Sequence, residues 1–231
     1  MKSFMRLAGV LLTLGMLAAC QSFPPTTLKR QPGVAPRIVV VKPEVDIHEV
    51  QANGDRVAMN DRIAAAQGYL DVELPKVLTA ANFVVVAWTP PAPGTSQADS
   101  YNQMMKLHRR VHEAIVSHVM DRLPTMDGKV WSMGPTVREV VGPTDADYAL
   151  LVNANDRSLS AGRVARNFGI GLLTGPAGMP RDPGNHSYIS IIDLKSGDVV
   201  WSKLGLIGLG DFYTEEGARK SVATWFESLP K

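Results

Sequence analysis

The sequence is poor in the residues that usually announce chemistry. Its 231 residues hold a single cysteine, Cys20, so no disulfide can form within the chain. Charge of one sign is also missing: 24 Lys and Arg stand against 22 Asp and Glu, and no basic run occurs. That balance argues against nucleic acid as a partner. No apolar run reaches the roughly 20 residues that a membrane-crossing helix needs. No complete set of catalytic or metal-ligating residues stands out at a recognisable spacing either, and no cofactor is expected.

What is present begins at the amino terminus. Lys2 and Arg6 form a basic region, Leu7 to Leu17 is apolar, and small residues close the run. This is the form of a secretory signal peptide. The tetrapeptide Leu17-Ala18-Ala19-Cys20 resembles the lipobox of bacterial lipoproteins. The resemblance implies that residues 1–19 are removed and that Cys20 becomes the lipidated first residue, held to the membrane by several acyl chains worth about 0.8 kcal/mol per buried methylene. Thiol catalysis would then be closed to Cys20. Gln21 stands where the inner-membrane retention signal would have Asp, and the resemblance therefore implies an outer-membrane protein facing the periplasm, with the inner membrane as the alternative. Without Lys2 and Arg6 the count becomes 22 basic against 22 acidic residues, a formally neutral chain.

Residues 20–36 are rich in Pro and Thr, lack any hydrophobic period, and read as an extended tether. Residues 37–231 then form one domain, about 190 residues, enough to bury a core without a disulfide. Strands are expected at Arg37–Lys42, whose Ile38-Val39-Val40-Val41 is continuously β-branched, at Asp46–Gln51 before an Asn53-Gly54 turn, and at Asn82–Trp88. A helical pattern covers Arg56–Ala80, with a break or kink expected near Leu74 because Pro75 lacks an amide donor. After a loop over Pro90–Ala98, a long helix is expected over Ser100–Leu123, with Met104, Leu107, Val111, Ile115 and Val119 as its apolar stripe. Tyr148–Asn155 reads as a further strand. Tyr188–Leu194 and Val199–Leu206 read as a hairpin around Lys195-Ser196-Gly197-Asp198. Thr214 reads as the N-cap of a last helix with Glu215 and Glu216 in its first turn and Ala218, Val222, Trp225 or Phe226, and Leu229 inward. The order predicts a single α/β domain with a mixed sheet, ending in a β-hairpin and a C-terminal helix.

Asp147-Tyr148-Ala149-Leu150-Leu151-Val152, Ser160-Ala161-Gly162-Arg163 and Ile192-Asp193-Leu194-Lys195-Ser196-Gly197-Asp198-Val199-Val200-Trp201 resemble a group of uncharacterised proteobacterial lipoproteins. The element order is similar to that of the curli-secretion-channel lipoprotein, the lipoprotein activators of peptidoglycan synthases and the N-terminal domain of the Tol-Pal propeller protein. The resemblance implies a fold; none of its motifs carries an activity over.

Three chemical readings remain. His108 and His112 are four apart on the long helix, so both could face one metal, as in a metal-dependent hydrolase. The glutamate that zinc proteases place beside such histidines is absent, with Arg109 and Val111 at those positions. His118 lies about 15 Å along the helix from His108, too far to complete the site, though His48 or His186 could do so through the fold. Core-edge histidines are the plainer expectation. Gly169-Ile170-Gly171-Leu172-Leu173-Thr174-Gly175 imitates a dinucleotide turn, but no strand precedes it and prolines follow it. Ser160 lacks the glycine two positions earlier that a nucleophile elbow needs, since Ser158 stands there. Residues 161–179 are instead either a short helix packed closely on the sheet or an interface segment, with Gly169, Gly171 and Gly175 allowing close approach to a membrane or a neighbouring subunit.

The sequence therefore predicts a non-enzymatic, lipid-anchored envelope protein, an adaptor or an assembly or secretion component. A homo-oligomeric ring subunit is its more specific form. A regulator of a peptidoglycan-synthesising enzyme and a metal-dependent hydrolase using His108 and His112 are the alternatives. The expected partners are the membrane, through the lipid, and an envelope protein of unknown identity.

Overall fold

Tyr148–Leu159 (β5) is a twelve-residue strand whose first nine residues are all buried. A strand covered on both faces cannot hydrogen-bond to water, so its amides need partners along both edges. In the computed structural model, which describes residues 27–29, 33–121, 130–174, 186–206 and 212–230, two different devices supply them. Along one edge runs the antiparallel strand His186–Asp193 (β6), itself paired with Val199–Leu206 (β7). Along the other edge lie two short parallel strands in succession, Arg37–Val40 (β1) and Glu44–Val50 (β2). Arg56–Ala58 (β3) pairs with β2 and Val84–Val86 (β4) with β1, giving a seven-stranded mixed sheet. The domain is α/β, as the element order predicts.

The junction between β1 and β2 is irregular. Val40 pairs with Leu150 and Glu44 with Asn153, so four steps on one strand match three on the other. The extra residue at Lys42-Pro43 reverses which side chains face which way. Val39 and Val41 belong to one core and Val45 and Ile47 to the other. Glu44 is thereby turned toward the face that carries Val39.

Helices cover both faces. Asn60–Ala80 (α1) and Glu215–Phe226 (α5) pack on one, around Leu70, Leu74, Leu78, Trp201 and Trp225. Ser96–Asp121 (α2) and Thr136–Val141 (α3) lie on the other, around Met104, Met105, Ile115, Val137 and Leu151. Ala161–Thr174 (α4) follows β5 directly. Thr214 caps α5 as expected, its hydroxyl accepting from the Gly217 amide at 3.1 Å.

Several expectations change. Arg56–Ala58 is a strand, not the start of a helix, because the Asn53-Gly54 turn folds it back on β2. Pro75 does not end α1. Its missing bond costs about 3 kcal/mol, which is offset by burying Leu70, Leu74 and Leu78 at about 1.5–3 kcal/mol each. The strand expected over Asn82–Trp88 is three residues long and lies at an edge, with Val84 exposed. On α2, Leu107 and Val119 are exposed, and the buried line runs through Met104, Met105, His108, His112 and Ile115. His108 and His112 face inward, in line with the expectation of core-edge histidines, and are fully buried. The signal segment, Cys20 and Gly175 lie outside the described residues.

Gly197 sits at the β6–β7 turn with φ +79°, and a Cβ there would fall 2.1 Å from the Gly134 carbonyl oxygen. Gly169 has nothing within 4 Å of such a position. Gly197→Ala is expected to cost about 2–4 kcal/mol. Gly169→Ala, inside a helix and unobstructed, should gain about 0.5–1 kcal/mol. Urea denaturation of the two variants checks both signs.

Candidate functional site

Four fully buried polar side chains meet between α2 and the sheet. His108 and His112 come from α2, Asn153 from β5 and Ser190 from β6, and none is more than 1% exposed. The extra residue at Lys42-Pro43 brings Glu44 to the same face, where Arg109 of α2 pairs with it.

These groups form one hydrogen-bonded line whose direction is set at its outer end. Arg109 Nη2 donates to Glu44 Oε1 at 2.8 Å. The carboxylate can only accept, so the Asn153 amide nitrogen donates to Glu44 Oε2. That turns the Asn153 carbonyl toward His108, which must donate from Nδ1. His108 Nε2 is left to accept from the Ser190 hydroxyl at 3.0 Å, and Ser190 Oγ in turn accepts from His112 Nδ1 at 3.3 Å. The line ends at His112 Nε2, a buried lone pair with no hydrogen-bond partner. Beyond it the His112 ring stacks on Tyr188 at 4.6 Å between centroids, and His186 lies 4.8 Å from Tyr188 on the same strand.

Both histidines are thus held neutral. Burial lowers the His108 pKa to about 4, with the Asn153 hydrogen bond opposing and the Arg109 charge assisting. Burial also holds His112 well below its ordinary value, with His108 and His186 adding to the effect. The outer end is wet: Glu44 and Arg109 are each about one-third exposed (37% and 35%). Glu44 also lines a groove of about 580 Å³ with Lys42, Gln67, Pro91, Asp99 and Tyr101.

In composition this is a hydroxyl, an imidazole and an orienting amide, the parts of a nucleophilic triad. Two facts oppose that use. Ser190 lies on a strand paired on both sides and capped by α2, so no substrate reaches its oxygen in this conformation. Asn153 also brings no charge to balance an imidazolium. What the arrangement does accomplish is to fix the position of α2 on the sheet, because each donor and acceptor fits one register.

The same geometry bears on the metal reading. His108 uses both ring nitrogens inside the line, and the two rings meet edge to face with centroids 6.1 Å apart. They therefore do not converge on a common point. Among the described residues no group of three or more His, Cys, Asp or Glu is placed to hold a metal. His48 pairs with Asp46 at 2.7 Å, and His118 packs against Trp131. Asn153, Ser190 and Glu44 were not legible as partners in the sequence. The one available signal was polarity inside a buried strand, Asn153 within β5 and Ser190 within β6.

The third candidate, α4, presents the opposite pattern. Arg163 and Arg166 lie on the side of the β2–β3 turn, where Gly54 lies close to Arg163 and Arg166 donates to the Ala52 carbonyl at 2.5 Å. Val164, Phe168 and Leu172 point outward, 52%, 62% and 72% exposed. Gly169 does not serve close packing on the sheet, since it borders open space. No helix among the described residues is long and apolar enough to cross a membrane.

Neutral burial of His108 makes stability depend on pH. Its folded pKa lies below its unfolded value near 6.5, so the unfolded chain takes up a proton first as pH falls. The contribution is complete above about pH 6.5 and is lost between there and about pH 4, roughly 3 kcal/mol for His108 alone. Urea midpoints at pH 7.5 and 4.5 measure it. Asn153→Leu, which strips both Glu44 and His108 of a partner, should cost at least about 2 kcal/mol at pH 7.5 by the same assay.

No family matches the sequence, and no curated protein does. Two solved structures are similar at a distance. The C-terminal domain of LpoB from Salmonella enterica is 14% identical with a TM-score of 0.28, over 75% of this chain and 84% of that one. The NMR structure of E. coli LpoB is 13% identical with a TM-score of 0.29, over 80% and 73%.

Proposed function

We propose that this chain is a non-enzymatic, lipid-anchored envelope protein whose domain works by contact at its surface, as an adaptor or assembly component. The observation that carries this reading is the sealed histidine line. The groups best suited to chemistry are spent on holding α2, which leaves the surface to do the work. The amino-terminal sequence supports the anchor, with Cys20 as the lipidated residue. Residues 27–29 support a short reach. The Thr27 amide donates to the Val200 carbonyl at 3.0 Å, and the Tyr148 hydroxyl donates to the Lys29 carbonyl at 3.0 Å. The seven steps from Cys20 to Thr27 span at most about 25 Å, so a lipid on Cys20 would hold the domain close to the bilayer.

A second reading, regulation of a peptidoglycan-synthesising enzyme, is supported by an element order similar to that of the lipoprotein activators of peptidoglycan synthases. It gives the surface a specific client and leaves the anchor unchanged.

Labelling with palmitate tests the anchor. Cys20→Ala is expected to abolish incorporation and to move the protein out of the membrane fraction, whereas an unchanged distribution would overturn it. Crosslinking in intact envelopes tests the contact. One reproducible heteromeric adduct is expected, joined under the second reading by slower glycan-strand synthesis when the gene is deleted. Neither adduct nor phenotype would overturn both readings.

A further inference from the structure

We infer that α4 is an interfacial membrane-contact helix, laying Val164, Phe168 and Leu172 into the headgroup boundary of an anionic bilayer. The inference deepens the reading of a membrane-tethered domain and rests on it for proximity to lipid.

Three observations select this occupant. The first is the orientation of the helix. A surface helix ordinarily turns its apolar stripe to the core. In α4 residues 164, 168 and 172, spaced by four, point away from the domain, and the two arginines face the β2–β3 turn. An interfacial helix has this form, with apolar side chains sunk about 5–10 Å and basic ones on the opposite side at headgroup level.

The second is charge. From Arg157 to Thr174 the chain carries three arginines and no acidic residue, although basic and acidic residues balance over residues 7–231. That local excess complements phosphate-bearing lipids. It would repel its own image across a two-fold axis.

The third is area. Three outward side chains make a patch of a few hundred Å², whereas a stable protein pair needs about 800 Å² on each partner. A second membrane contact needs far less. The acyl anchor would already confine the domain to the surface, and the helix then binds at a high effective concentration. α4 begins about 36 Å along β5 from Tyr148, the residue that holds the incoming Lys29. Anchor and helix would therefore hold the sheet at its two ends and fix how the domain lies on the bilayer.

The experiment uses the full-length protein in vesicles of phosphatidylethanolamine with a quarter phosphatidylglycerol. An environment-sensitive fluorophore is placed through Ala165→Cys, beside the stripe. Acylation of Cys20, read by mass on the same sample, separates failure of the anchor from failure of this inference. Nitroxide-bearing lipid should lower the emission at least about twofold. Phosphatidylcholine alone should weaken that effect, and Phe168→Asp with Leu172→Asp should remove it without moving the urea midpoint. A label on acylated protein that stays in water on anionic vesicles overturns the inference. So does protection from aqueous iodide that rises with protein concentration regardless of lipid, which would assign the face to a second copy. Protection seen only in native envelopes overturns it too, in favour of a protein partner.

Discussion

A twelve-residue strand with both faces covered has to find a hydrogen-bond partner for every amide, and the domain is organised around meeting that demand for β5. One edge is met by a single antiparallel strand. The other is met in two pieces, and the residue left over where they join sets the pattern of everything on that side. It reverses the facing of β2, moves Val45 and Ile47 to the α1 core, and carries Glu44 across to α2. Without that reversal Glu44 would point at Leu70 and its neighbours. The hydrogen-bonded line would then lose the charge that orients it.

The line itself is a polar solution to a packing problem. α1 meets the sheet with a row of leucines, Leu70, Leu74 and Leu78, whereas on α2 two histidines stand between Met104, Met105 and Ile115. Buried polar groups of this kind stabilise only when each is satisfied, and they make the docked position more specific than an apolar contact would. Along this line two nitrogens are left over, Arg109 Nε at the outer end and His112 Nε2 at the inner one. His112 Nε2 lies farthest from the surface charge, where the stacked Tyr188 ring offers no hydrogen to accept.

Much of this was legible in advance where hydropathy alone decides. β1, the hairpin of β6 and β7, the Thr214 cap and the inward stripe of α5 all follow from local pattern. The failures share a cause, which is pairing at long range. Arg56–Ala58 looks helical until the turn before it folds it onto β2, and Val84–Val86 looks central until β1 proves to be its one neighbour among the described residues. The partners of His108 are another such case, since they lie 45 and 82 residues away in sequence. A four-residue spacing shows that two histidines share a helix face, but not whether that face meets water, metal or an asparagine.

Residues 27–29 have a further consequence. Among the described residues β7 has one strand neighbour, β6, and its other side carries backbone groups able to recruit a foreign strand. Thr27 occupies the start of that side through the Val200 carbonyl, and Leu28 packs onto the core beside it. The segment that leads toward the membrane therefore also guards the edge of the sheet. A chain trimmed to begin at β1 would keep its core yet expose the edge, and its characteristic failure would be aggregation rather than unfolding.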